Sequence, residues 1–203
     1  MRLLKGEHMH IADGIIATEI CVAADAACLG GLYVMGRETD PDEIPRMGFV
    51  GAALFAVSLV HFPVAGTTMH LSLLGLAGIL LGARSVPVVF LALLFQSLIF
   101  QHGGLITLGL NTLNMSAGAL AAWGVWRVLP SREPIRAFLA GLVGILLPAS
   151  LVIAEFLITG YGRSILLLYA AYVVTAVVEG LLTVSVTAFL RRVQPDILER
   201  TTS

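Results

Sequence analysis

The chain has 203 residues, 58% of them apolar and 12% charged, with 12 Lys+Arg against 13 Asp+Glu and a net charge of -1. A soluble domain carries about 25% charge, so this chain cannot cover a water-facing surface. A mean hydropathy of +0.93 and apolar runs along the whole length mark a multi-spanning membrane protein, and the absence of any basic cluster argues against nucleic-acid binding.

The first eight residues, Met1 to His8, imitate the charged start of a signal peptide. No apolar core or small-residue cleavage site follows directly, so no secretory signal is read there. Seven apolar segments come next: Ile15–Met35, Met47–Phe62, Leu71–Ala83, Val86–Phe100, Leu113–Leu129, Ala137–Ile158 and Ile165–Leu190. An upright span needs about 20 residues. The last two qualify easily. The third and fourth are short: either they extend into flanking small residues, or one is a broken or re-entrant element lining a cavity. Only helices are expected, since each segment must satisfy its own backbone in lipid. Small residues, such as Gly51-Ala52-Ala53 and those between Ala117 and Ala122, suit close helix packing. Cys21 and Cys28 form no CxxC motif and read as small core residues. The expected fold is therefore an all-α integral membrane protein, a compact bundle of about seven transmembrane helices.

Charge sets the expected orientation. With the N-terminus outside, Arg37, Arg46, Arg84, Arg127, Arg132, Arg136, Arg191, Arg192 and Arg200 lie inside, against Arg2, Lys5 and Arg163 outside. The positive-inside rule favours this arrangement, with an odd number of spans. It also places all five histidines, His8, His10, His61, His70 and His102, on or near the outer side. Imidazole is a common ligand for Ni, Co, Cu and Zn, so metal capture from outside is the indicated function class. The plainer alternative is interfacial histidines turned toward water.

Three histidine-bearing stretches are unusual. In Met9-His10-Ile11-Ala12-Asp13-Gly14, a mature chain beginning at Met9 offers its free amine, the His10 amide nitrogen and His10 Nδ1 to one metal. Fused chelate rings hold these nitrogens nearly coplanar, a set that suits Ni(II) or Cu(II) and is tolerated by low-spin Co(II). If Met9 is internal, this chelate does not form. In the second stretch, Pro63 and Gly66 break one helix, and Thr67 or Thr68 caps the next. His70 then falls in a first helical turn, as a fourth nitrogen ligand or as a buried hydrogen-bonded residue. In the third, His102-Gly103-Gly104 allows irregular backbone. Asn111 and Asn114 share a helix face there, either supporting an inserted loop or a ligating imidazole from behind, or joining helices. Glu19, Asp25, Glu155 and Glu179 are acids within apolar segments, suited to proton relay or to pairing with Thr or Asn. No Walker A, HExxH or GxSxG pattern occurs, so ATP hydrolysis is not expected in this chain, nor is enzymatic activity.

Together these stretches resemble the CbiM/NikM family, the substrate-capture (S) components of energy-coupling factor transporters for cobalt and nickel. The resemblance runs from Met9 to about Leu198. It rests on Met9, His10, Ile11 and Gly14; on Pro63, Thr67, His70 and Leu71; on Gln96, Phe100, Gly103, Gly104, Leu105, Leu108, Gly109, Asn111, Asn114 and Met115; and on Glu179-Gly180 and Gln194 to Leu198. It implies seven helices with the N-terminal loop inserted into the bundle, in the cell (inner) membrane. It implies Met9, His10 and His70 as metal ligands, with Asn111 and Asn114 behind them. Residues 1–8 become an N-terminal extension outside the mature chain, and residues 9–203 a single transmembrane metal-binding domain. The implied partners are a CbiQ/NikQ-like membrane T component, two CbiO/NikO-like cytoplasmic ATPases and a small accessory membrane protein. There is no permanent cofactor; the cargo is Co(II) first, Ni(II) close behind. Two rival readings stand beside this one. One is a haem-binding redox subunit with axial histidines, and the other is a non-catalytic assembly scaffold.

Overall fold

The computed structural model describes residues 10–37, 39–64, 67–160 and 165–199. Among them, seven principal helices carry the fold: α1 (Thr18–Arg37), α2 (Ile44–Ser58), α3 (Leu74–Leu81), α4 (Ser85–Phe100), α5 (Leu108–Val128), α6 (Glu133–Thr159) and α7 (Ile165–Val193). A short α8 (Asp196–Glu199) follows. A hairpin of two antiparallel strands, β1 (His61–Val64) and β2 (Thr67–His70), stands between α2 and α3. Three helices, α1, α6 and α7, and the apolar run Leu74–Phe100 are each long and apolar enough to cross a membrane. Met9 and residues 1–8 lie outside the described residues.

The run Leu74–Phe100 is folded into two legs. Gly82, with φ 56° and ψ -130°, ends α3 in a conformation that suits glycine, and the chain turns back into α4. That return brings His102, past the end of α4, beside His70, which precedes α3. All eight residues of α3 are buried, so it forms the centre of the bundle. At 1.5 Å per residue it rises only about 12 Å, too little to span hydrocarbon. The hairpin makes up the difference by folding back into the bundle, where Met69 and His70 are buried. Non-helical backbone is tolerated at Met69 and His70 because protein surrounds them.

Small residues let the central helices approach. A Cβ added to Gly144 of α6 would lie 2.6 Å from the Gly75 amide nitrogen of α3, well inside contact distance. Ala119 and Ala122 of α5 are fully buried. The packing thus uses the small residues of α3, α5 and α6, while Ala52 of α2 stays exposed.

Three expectations are corrected here. The segment after α2 is a pair of antiparallel strands, not only helix, in register His61 to His70, with Pro63 inside β1 opposite Thr68. His70 accordingly ends β2 and is not in the first turn of a helix. Helix α3 begins four residues later, at Leu74, and no side chain of its own N-cap residue, Leu73, serves it. Instead Glu179 of α7 accepts hydrogen bonds from the backbone N–H groups of Ser72 and Leu73, the latter at 2.9 Å. Finally, α5 starts at Leu108 and not near Leu113, because Asn111, Thr112 and Asn114 point into the protein, where polar groups find partners.

Successive helices reverse direction, so the connections segregate. One end collects His10, His61, His70 and His102. The other holds the Arg84–Glu43 and Arg191–Glu133 ion pairs, at 2.9 and 2.6 Å. Arg46 also donates there to the Leu80 carbonyl, near the C-terminus of α3.

Candidate metal centre

Three segments deliver the site, and each is fixed by hydrogen bonds from another part of the chain. The N-terminal loop is inserted at Ile11, which is fully buried. Its N–H donates to Asn111 Oδ1 at 2.8 Å. Its carbonyl accepts from Asn111 Nδ2 at 2.9 Å and from Thr107 Oγ1 at 2.7 Å. One asparagine amide thereby satisfies both backbone groups of the residue next to His10, as a strand neighbour would. Two positions on, the Asp13 carboxylate accepts from the N–H groups of Leu105, Ile106 and Thr107, at 3.1, 3.0 and 3.1 Å. It latches the N-terminal loop to the segment that leads into α5, from 94 residues away. Gly104 makes this latch possible, since a Cβ there would collide with the Asp13 carboxylate.

The hairpin delivers His70. Its Nδ1 donates to the Leu71 carbonyl at 3.0 Å. A carbonyl only accepts, so in the neutral ring Nδ1 carries the hydrogen and Nε2 keeps the lone pair that a metal needs. The chain then passes through Leu73 in the left-handed region, φ 52°, where the Glu179 carboxylate holds it. His102 arrives by a similar device. Gln101 adopts φ 54° at the end of α4, and the His102 N–H donates to the Gln96 carbonyl at 3.2 Å. Left-handed backbone costs a non-glycine residue about 1–2 kcal/mol. Both such residues among those described flank a histidine of the cluster.

The outcome is a convergence of imidazoles. Ring centroids of His10 and His70 lie 5.2 Å apart, His10 and His102 5.3 Å, and His70 and His102 5.2 Å. One ring nitrogen from each falls within 4.8 Å of the other two, close enough for a single ion to gather them. His10 and His70 are buried and His102 is half-buried. A cavity of about 20 Å³ lies against His10 and His70, with Ser58, Ser72, Gln96 and Met115 among its walls. That is space for about one water or ion. It does not admit a haem macrocycle.

The structure brings together His10 and His70 as the sequence suggested, and places Asn111 directly on the loop that carries His10. Asn114 makes a different connection, donating to both carboxylate oxygens of Glu155 at 3.1 and 3.0 Å and so joining α5 to α6. Asp25 fastens α1 to α5 through the Gly109 N–H at 2.6 Å. Sequence reasoning had not placed His102 in the ligand cluster, although its position before Gly103-Gly104 was a usable signal. It also missed Glu179 as the support of the His70 segment, a contact between residues 107 positions apart.

A helical bundle with a histidine cluster at one end is matched by a known family model. The model described as the cobalt uptake substrate-specific transmembrane region, CbiM, matches residues 10–197. The chain belongs to the CbiM family. A cobalt transport protein CbiM of Sorangium cellulosum is 34% identical, covering 95% of each chain. A fused nickel transport protein NikMN of Rhodobacter capsulatus is 33% identical over 73% of this chain and 47% of its own length. The crystal structure of a truncated transition metal transporter superposes with a TM-score of 0.77 at 24% identity, over 90% of this chain and 98% of that one, and so shares the fold. This CbiM-family chain is a multi-pass membrane protein of cobalt and nickel transport.

Proposed function

We propose that the protein is the substrate-capturing membrane component of an ATP-driven importer for Co(II), with Ni(II) the close second, and that it takes the ion at the outer face. The observation that carries this reading is the meeting of His10, His70 and His102 at the end of the bundle remote from the arginine-rich connections. In the proposed site the Met9 amine, the His10 amide nitrogen, the His10 ring and His70 Nε2 make a square-planar set of four nitrogens. The amide proton leaves to solvent as the metal enters, an exchange favourable for Ni(II), Cu(II) and low-spin Co(II). Asn111 supports the site by fixing the backbone beside His10, while Asn114 acts one step further out by joining the helices behind it.

Energy must come from partners: a CbiQ/NikQ-like T component, two CbiO/NikO-like ATPases and a small accessory membrane protein. The fused Rhodobacter relative, which is longer than this chain, supports the idea of assembly with further membrane parts. Residues 1–8 are proposed to be absent from the working protein, because an extended chain has no amine at Met9.

Calorimetric titration of two purified forms with NiCl₂ and CoCl₂ tests the reading. The form beginning at Met9 should bind one ion per chain, and the form beginning at Met1 should bind at least about 100-fold more weakly, as expected when a ligand is lost. Equal, tight binding by the form that keeps Met1 sinks the proposed ligand set. No binding by either form favours a scaffold, and a Soret band in the purified protein favours haem.

A further inference from the structure

The cluster has a fourth ring beyond His10, His70 and His102. His61, at the start of β1, is exposed, and β1 pairs it directly with His70. Its centroid lies 5.6 Å from His70 and 5.5 Å from His102, nearly the spacing within the buried group. The four rings therefore form two triangles that share the His70–His102 edge. The inner triangle adds His10, which is buried; the outer adds His61, which faces solvent. His61 is also in the tautomer that leaves a ligand free. Its Nδ1 donates to the Leu59 carbonyl at 2.9 Å, so in the neutral ring the lone pair sits on Nε2.

We propose that His61, His70 and His102 form an outer, transient site for a hydrated divalent ion, Co(II) or Ni(II), through which cargo reaches the inner site. This rests on the capture reading above. Three imidazoles leave coordination positions for water, so an ion docks without losing its whole hydration shell. It then moves inward by exchanging a single ligand, His61 for His10, while His70 and His102 hold it. His102 and the remaining waters leave as the Met9 amine and the His10 amide close the four-nitrogen chelate with the His10 ring and His70, and the amide proton goes to solvent. An ion held beside the inner site meets it at a high effective concentration, which speeds capture without changing the final state.

That logic gives a distinctive kinetic signature. In stopped-flow experiments with Ni(II) on the chain beginning at Met9, His61→Ala should lower the association and dissociation rates together, each about tenfold, with the affinity held within about threefold. His61→Phe keeps a ring in the hairpin but no nitrogen, and should behave like His61→Ala. A second arm isolates the outer site. His10→Ala should still bind Co(II) weakly, with a visible spectrum of a three-imidazole site, and His10→Ala/His61→Ala should lose it. Unchanged rates in His61→Ala, full rescue by His61→Phe, or a change in affinity beyond about tenfold overturns the outer site while leaving capture intact. If the parent protein binds neither ion, the capture reading falls first, and the outer site with it.

Discussion

Asn111 offers an acceptor and a donor to the same residue, Ile11, and so fixes both backbone groups beside His10. Replacing it with Ala leaves a buried N–H without this acceptor, at a cost of about 1–3 kcal/mol. Asn111→Ala should therefore weaken Ni(II) binding by about 10–100-fold, the range seen when supporting partners are removed. His10→Ala and His70→Ala should each abolish tight Ni(II) binding and leave the helical content of the metal-free protein unchanged, which circular dichroism alongside calorimetry would check. Much of this was legible from single residues: histidine next to Met9, asparagine at helical spacing, histidine after a proline-containing break. What was not legible is which backbone group each polar side chain meets. Asn111 and Asn114 look alike in sequence, yet one holds a loop and the other a carboxylate on α6. Only the packing of α5 between these neighbours separates their roles.

The segments between helices carry the less regular conformations, and two residues in left-handed backbone set the direction of the chain near His70 and His102. At Gln101 the side chain is exposed, so glycine loses little packing and removes the strain. Gln101→Gly should raise thermal stability by about 1 kcal/mol, measured on the detergent-solubilised protein. The Asp13 latch works in the opposite sense. Asp13→Ala strips three N–H groups of the segment leading into α5 of their acceptor, and it should destabilise the N-terminal loop by about 1–2 kcal/mol while making residues 10–17 more open to hydrogen exchange. The helices were legible because their apolar runs are long. The hairpin was not, because strands of four residues, one containing a proline, have no periodicity to read, and only the Met69–His70 end of the pair is buried in the bundle. The early start of α5 was hidden for a related reason: polar residues inside the protein lower its hydropathy without exposing it to water.

Among the described residues, the clustered histidines and the Arg84 and Arg191 ion pairs occupy opposite ends of one bundle. The expected orientation puts the histidine end outside, and site-directed labelling reads it directly. Cys21 and Cys28 are buried, so cysteines introduced at exposed Leu105 and Gln194 are the informative targets. In intact cells an impermeant maleimide should modify Leu105→Cys, and should reach Gln194→Cys only after lysis. The reverse pattern overturns outer-face capture. Segregation of charge was visible in sequence because helices alternate direction and arginine counts follow the alternation. The depth of α3 was not visible, since an eight-residue helix needs the surrounding helices to justify it.

The hydrogen bonds from Ser72 and Leu73 to Glu179 also order events in time. The acceptor is translated more than a hundred residues after the amides it receives. The strand end bearing His70 is thus secured only once the final long helix is in place, so on the proposed ligand set metal binding waits for α7. A polypeptide stalled before residue 179 should insert most of its helices yet fail to retain an ion, a built-in delay against loading unfinished copies.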